Sequence, residues 1–475
     1  MHLILFFLLM FKHTLADYPA FKVALSDKGL TDVSQLMSVW IVNALKATEL
    51  PEFRGELDIG IGTIDFALSN MRIVHCSMSE SSLVFVKGTG VSVTVTQLSL
   101  AVTGSWTTHF GIIHDGGSFD LAVNNINMNT LLQLGDDGAG HLSVSSVTCS
   151  DDVGGVHIQF HGGASILFQP FVKRFSGHIS DVLRQKICQA TEQAIVDLER
   201  HLLEYSVNIR VDQYIYVNIP LTSSPSVTDN SIELDMKGEF YSSSSPSEPP
   251  FSPNAFDMQP AENYTLSLAA SDFCVNSAAY AYFSSGLLQM NIRDDMIPKS
   301  SPIHLNTSQF GIFIPQLRTQ YPNMEMQVLL YVSETPLFSF RSTEVDVHVT
   351  AAAKFSAVKH DRTLIPLFRV DVDSSFSGNA QIDNIHLTAA FNMNNLTLTL
   401  GSSEIGDFNT GPLEKLFKMA MSTVVLPKLN AYLKIGVPLP TLHGFRFSNS
   451  EIFLRNGFVL IVTDVEVPHD MPSGL

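Results

Sequence analysis

Two pairs of neighbouring carboxylates, Asp136-Asp137 and Asp294-Asp295, and the histidines His157 and His161 have the types and spacing that could do chemistry. Paired carboxylates can divide acid and base roles, and two histidines can share a metal. Context argues against both. Gly135-Asp-Asp-Gly reads as a hairpin turn, where carboxylates cap backbone or face solvent. His157 and His161 stand in an alternating run, and that spacing along a strand separates them by roughly 13 Å. No HExxH, GxSxG, P-loop or strand-following GxGxxG occurs. The reading is a protein that is not an enzyme and uses no metal or cofactor, with any ligand bound rather than transformed.

The four cysteines, Cys76, Cys149, Cys188 and Cys274, show no CxxC or metal-like spacing. Residues 1–16 read as a secretion signal: Leu3 to Phe11 is unbroken and apolar, and Thr14-Leu15-Ala16 offers small residues for cleavage. The alternative is a buried N-terminal strand. Sequons at Asn263, Asn306 and Asn395 are compatible with glycosylation of an exported chain, and export would permit a disulfide. A secreted, extracellular protein is expected, and a monomer.

The 475 residues exceed what one core serves, so two large domains are expected. Charged residues are 16 % against 45 % hydrophobic, well below the roughly 25 % charged of ordinary soluble proteins. Beyond the N-terminus there is no apolar run of membrane-spanning length. High apolar content without a span suggests an interior surface that faces something other than protein. The net charge of −18 argues against nucleic acid, whose binding needs Lys and Arg, and against electrostatic capture by anionic membranes.

Two halves share one plan: an amphipathic helix, alternating strands, a long helix, then a proline-bearing extended segment. In the first half Leu30, Val33, Met37, Trp40, Ile41 and Ala44 recur at helical spacing. Val91, Val93 and Val95 begin period-two strands that run on to Phe160. Phe168, Phe171, Phe175, Ile179, Leu183, Ile187 and Leu202 mark a long helix. Serines and prolines punctuate residues 221–260 as a linker around a strand from Ile232 to Tyr241. The second half opens with a short helix over Phe310–Gln320, interrupted at Pro315. Short strands follow, among them Phe368–Val372, Ile385–Phe391 and Leu396–Leu400. A helix from Pro412 to Leu433 should kink at Pro427.

Met236-Lys-Gly-Glu-Phe-Tyr-Ser and Asn291-Ile-Arg-Asp-Asp-Met-Ile-Pro-Lys carry a resemblance, with Ser26-Asp-Lys-Gly-Leu, Gly104-Ser-Trp, Phe119-Asp-Leu, Tyr321-Pro-Asn-Met and Leu439-Pro in order along the chain. The sequence resembles the family of bactericidal/permeability-increasing protein and lipopolysaccharide-binding protein, from about residue 19 to 465. The resemblance implies an α+β fold: a tandem pair of elongated barrels, each a highly curved antiparallel sheet with long helices, joined by a central sheet into a boomerang. It implies a barrel over 17–220, a linker and part of the central sheet over 221–260, a second barrel over 261–444, and return strands with a tail over 445–475. It implies a disulfide between Cys149 and Cys188, leaving Cys76 and Cys274 as buried thiols or a second bridge. It implies an apolar pocket for phospholipid acyl chains in each barrel. Helical phase suggests Leu36, Trp40, Phe168, Phe171 and Phe175 for the first pocket and Phe313, Leu416, Phe417 and Val424 for the second. Trp106, His109 and Phe110 fall at the first barrel's membrane-facing tip.

One departure bears on function. The bactericidal relatives carry a basic tip that meets the phosphates of lipopolysaccharide. Here no Lys or Arg occurs between Lys87 and Lys173, and residues 17–220 hold 12 basic against 21 acidic side chains, a net of −9. The implied role is innate-immune, antimicrobial recognition of lipopolysaccharide or the bacterial outer membrane, with head-group binding weakened. Lipid transfer between membranes or lipoproteins is the alternative.

Overall fold

The computed structural model describes residues 18–47, 50, 52–58, 60, 62–163, 172–244, 246–297, 303–383, 385–438 and 446–466. The expected signal segment and the Leu439-Pro motif lie outside them. The chain is α+β in two halves, each a curled antiparallel sheet with a long helix against it.

The helices are α1 (Asp27–Ala47), α2 (Val172–Glu204), α3 (Asp272–Ser284), α4 (Thr307–Phe310), α5 (Pro315–Gln320), α6 (Gly411–Ala420) and α7 (Leu426–Ile435). In the first half the strands run in the order Phe53–Asp58, Thr63–Ser77, Gly90–Phe110, Ile113–Asp136, Leu142–His161, with Glu80–Val86 beside Gly90–Phe110. In the second the order is Gln289–Arg293, Glu325–Val332, Val345–Val358, Leu364–Asp383, His386–Ser403, Val437–Pro438, with Leu337–Phe340 beside Val345–Val358. A six-stranded sheet joins the halves: Phe21–Ser26 lies between Ser231–Met236, with Ser226–Val227 at its outer edge, and Leu266–Ser271, which continues to Phe458–Glu466 and Arg446–Arg455.

The first sheet curls because three neighbouring strands break their alternation. Asn70, Gln97 and Asn125 have φ of 52°, 53° and 55°, and the pairing register shifts beside each. An extra residue at a bulge bends the strand and reverses which parity faces inward. Buried residues are Ile64, Phe66 and Leu68 before Asn70 but Ile73 after it; Val91 and Val95 before Gln97 but Val102 and Trp106 after it; Phe119, Leu121 and Val123 before Asn125 but Ile126 after it. Ile179, Leu183 and Ile187 of α2 close the core over this sheet.

The linker is more ordered than its composition suggests. The strand expected over Ile232–Tyr241 is two strands, Ser231–Met236 in the central sheet and Glu239–Ser242 against Ile215–Asn218. Gly238 makes the break with φ +64°, and a side chain there would meet Phe21 and Cys274. The short strands expected at Ile385–Phe391 and Leu396–Leu400 are one strand, His386–Ser403. At Pro427 the helix widens: residues Met421–Val425 form a π-helical turn, and α7 begins at Leu426. Proline removes an N–H donor, and the π turn takes up that defect.

Candidate functional site

In both halves the last long strand of the sheet has an open edge, and unpaired edge N–H and C=O groups need partners. The long helix supplies them. In the second half Leu398 N donates to Glu414 Oε2 at 3.1 Å and Leu398 O accepts from Thr410 Oγ1 at 3.0 Å. About four turns on, Asn430 accepts from Phe391 N and donates to Phe391 O, both at 2.9 Å. Lys418, 2.7 Å from Glu414, holds that carboxyl below the usual carboxylate range. In the first half Arg184 donates to Val153 O at 3.1 Å, and Glu199 accepts from Ser143 Oγ at 3.0 Å and from Val144 N at 2.5 Å. A disulfide joins Cys149 on that strand to Cys188 on α2. Cys76 and Cys274 are buried thiols; burial pushes Cys274 up to about 12, and its Sγ donates to Ala20 O at 3.2 Å.

Between the two clamps of the second half the helix stands off its sheet and leaves a cavity of about 550 Å³, within the range of small-molecule sites. Two strand walls alternate, Val347, Val349 and Ala351 from one strand and Val372, Ser374 and Phe376 from the next, and the edge strand adds Phe391 and Leu396 from either side of a register shift. The helix contributes Phe417, Met421, Val425, Leu429 and Leu433. A stripe at every fourth residue drifts by about 40° per step on a straight α-helix; the π turn between Met421 and Val425 returns part of that drift, keeping all five aimed inward. Ser374, the buried polar residue of the lining, is satisfied, donating to Val349 O at 3.0 Å; Gln289 and Tyr331 are its other polar members. The cavity therefore offers apolar surface, with no aligned nucleophile or acid. It opens to solvent where Val425 and Leu429, 47 % and 43 % exposed, form its rim.

Of the residues expected at this pocket, Phe417 lines it. Phe313 and Leu416 pack against the adjoining core of Phe355, Phe368 and Leu413. Val424 is 39 % exposed and lies outside the lining, one residue from Val425, because the π turn rotates the helix there. In the first half Phe168 and Phe171 lie outside the described residues, as do the side chains of Leu36, Trp40 and Phe175, whose backbones belong to α1 and α2. Thr410, Glu414 and Asn430 were not anticipated; a lone Asn within the apolar stripe of α7 was the available signal.

The first-half tip differs from expectation. Trp106 does not face a membrane: it is 2 % exposed, donates from Nε1 to His161 O at 3.3 Å and meets Phe160 edge-on at 5.6 Å. The bulge at Gln97 turned its parity inward. His109 remains accessible, its ring stacked on His114 at 4.3 Å, and Phe110 is half-buried. The exposed apolar residues there are Ile112 and Ile113, at the turn that follows Phe110.

The acidic pairs shape turns. Asp136 Oδ1 accepts from Gly138 N and Gly140 N, and Asp137 Oδ1 from Ala139 N and His141 N. Backbone donation from His141 first, then from Ala139, holds Asp137 down to about 2. Asp294 accepts from Leu305 N at 2.6 Å, and Asp295 lies 3.5 Å from Arg293. His161 sits 3.0 Å from Asp120. Among the described residues no group of three or more His, Cys, Asp or Glu could hold a metal ion, and no helix is long and apolar enough to cross a membrane.

Comparison with known proteins finds matches along nearly the whole chain. Residues 29–199 match the family model described as LBP / BPI / CETP family, N-terminal domain, and residues 209–467 match its C-terminal domain. A bactericidal permeability-increasing protein of Sebastes schlegelii is 38 % identical, over 95 % of this chain and 96 % of that one. The lipopolysaccharide-binding protein of Homo sapiens is 26 % identical, over 94 % of each. A crystal structure of lipopolysaccharide binding protein superposes with a TM-score of 0.59 at 24 % identity, covering 95 % of this chain and 99 % of that chain, a likeness of fold.

Proposed function

The chain belongs to the LBP / BPI / CETP family, and from that premise we propose that it is a secreted, monomeric lipid-binding protein that holds phospholipid acyl chains in apolar space under its long helices. The observation that carries this is the cavity between the 411–435 helical segment and its sheet, walled by Val, Leu, Phe and Met with its one buried hydroxyl already bonded. Burial of a methylene contributes about 0.8 kcal/mol, so about ten methylenes contribute ~8 kcal/mol without help from a head group. Extraction of the protein purified from secreting cells should release phospholipid or fatty acid near stoichiometrically, read by mass spectrometry. Protein recovered lipid-free would remove the proposal.

Within that reading the ligand is lipopolysaccharide or a related bacterial amphiphile, by analogy with relatives named for it, engaged through acyl chains more than phosphates. The absence of Lys and Arg from 88 to 172 supports the second half of that statement. Titration with lipid A at physiological salt should give no more than a few-fold preference over neutral phospholipid. Lipid transfer is the second reading, favoured by the open rim at Val425 and Leu429; a vesicle-to-vesicle assay separates it from sequestration.

Secretion would also leave glycans, and the three sequons differ. Asn263 and Asn395 are exposed. Asn306 caps α4, accepting from Gln309 N at 2.8 Å, beside the fully buried Thr307. Enzymatic deglycosylation of protein from a eukaryotic secretory host should remove mass at Asn263 and Asn395 and none at Asn306; a fully occupied Asn306 would contradict this.

A further inference from the structure

The size of the second-half cavity selects among acyl lipids. The helix leaves about 550 Å³ open above the sheet. A methylene is about as large as a water molecule, whose share of liquid volume is roughly 30 Å³, so the cavity takes about 18 methylenes. That is one acyl chain of ordinary membrane length. The two chains of a diacyl phospholipid need about twice the space.

The walls are placed to withhold that extra space. The helix is held at both ends: Thr410 and Glu414 tie its start to Leu398, and Asn430 ties its last turns to Phe391. At the α6 end Phe417 closes onto Phe355, 6.4 Å between ring centroids, and Phe355 is stacked on Phe368 at 4.5 Å. A second fence is Phe338, Val347 and Phe376, side by side on three paired strands. Its outer member belongs to an edge strand that α3 holds: Phe338 N donates to Asn276 Oδ1 at 2.7 Å, and Phe338 O accepts from Asn276 Nδ2 at 2.9 Å. The floor between the fences is small, with Val349 beside Ser374 and Ala351 beside Val372. Close-packed aromatic walls of this kind resist expansion.

The lining carries no charged side chain, and its buried hydroxyl, Ser374, already donates to Val349 O. A carboxylate or phosphate drawn inside would lose its water and find no partner. The head group therefore stays in solvent at the rim of Val425 and Leu429. We propose that the second-half cavity is a one-chain slot that takes single-chain amphiphiles, lysophospholipids or fatty acids, in preference to diacyl phospholipids. This rests on the reading that the cavity holds acyl lipid, and it names the class of lipid held.

The test presents the full-length protein with phosphatidylcholine vesicles that carry palmitoyl-lysophosphatidylcholine and palmitate as minor components. The wild type and a Val349→Trp, Leu429→Trp double variant, in which two indoles crowd the cavity, are re-isolated and extracted for mass spectrometry. The lipid present in the wild type and missing from the variant belongs to this cavity. It should be a single-chain species in near-equimolar amount, enriched over its share of the vesicle; either species supports the proposal, and which one is found identifies the head group. Diacyl phosphatidylcholine as the missing species overturns the proposal and leaves lipid binding standing, whereas no missing species overturns both. A chain-length series on the wild type needs no crowded variant. Affinity for lysophosphatidylcholine should rise about fourfold per methylene and stop rising at about 18 carbons, where the cavity is full. Phe376→Ala takes about six carbons out of the lining and should move that stop outward by about as many. A rise that runs on unbroken, or a stop that stays in place in the Phe376 variant, overturns the proposal.

Discussion

Val349→Trp combined with Leu429→Trp is expected to lower bound acyl lipid by about two orders of magnitude while leaving the fold intact. Both side chains line the cavity, one from the sheet and one from the helix. Two indoles there would displace the equivalent of about four methylenes, ~3 kcal/mol of apolar burial, which is roughly a hundredfold in affinity. The space is empty of protein, and Leu429 is 43 % exposed, so overpacking should stay near the lower end of the ~1–3 kcal/mol that crowded cores exact. The readout is lipid stoichiometry on extraction beside a thermal melt. Stoichiometry unchanged in a well-folded double variant would show that lipid is held elsewhere, and Asn430→Ala distinguishes a cavity that collapses from one that is blocked. That substitution removes both bonds to Phe391 and should loosen the helix, speeding lipid exchange without filling the cavity.

How much of this was legible in the sequence follows from which interactions are local. Alternation at Val91, Val93 and Val95 and the helical stripe through Ile179, Leu183 and Ile187 are periodic signals, and they gave the strands and helices. Phase was not legible. Asn70, Gln97 and Asn125 look like ordinary polar strand residues, yet their positive φ reverses the inward parity of three strands, and that placed Trp106 inside. α3 was missed for another reason. Its sequence, Phe-Cys-Val-Asn-Ser-Ala-Ala-Tyr-Ala-Tyr-Phe after Asp272, is apolar and small nearly all round and has no stripe; only tertiary packing makes it a helix. In the second cavity the stripe from Phe417 to Leu433 was visible, but not which register faced inward. A π turn one residue too wide decides between Val424 and Val425, and no propensity encodes it. The edge-strand clamps were hidden too, because an Asn or Glu on a helix announces no partner until the open N–H and C=O of Phe391 and Leu398 are in place.

Cys149→Ser with Cys188→Ser is expected to lower the first thermal transition by about 10 °C. The bridged residues are 39 apart in sequence, and closing a loop of that size removes unfolded-chain entropy worth about 4 kcal/mol. At about 2–4 °C per kcal/mol for a domain of this size, the shift follows. The position makes the loss local as well as global. Without the bridge, α2 is tied to strand Leu142–His161 by Arg184, one turn before Cys188, and by Glu199 near its C-terminal end, and the Ile179, Leu183 and Ile187 contacts must carry the rest. Segments with few remaining ties open at a lower free energy than the whole, so the helix should become the preferred site of limited proteolysis in the variant, before the sheet. The second half has no disulfide among its described residues and holds its helix by Thr410, Glu414 and Asn430; its transition should not move. A melt shifted by no more than about 2 °C, or a protease that cuts the 411–435 segment first, would mean that apolar packing and the polar clamps alone hold α2 over its sheet.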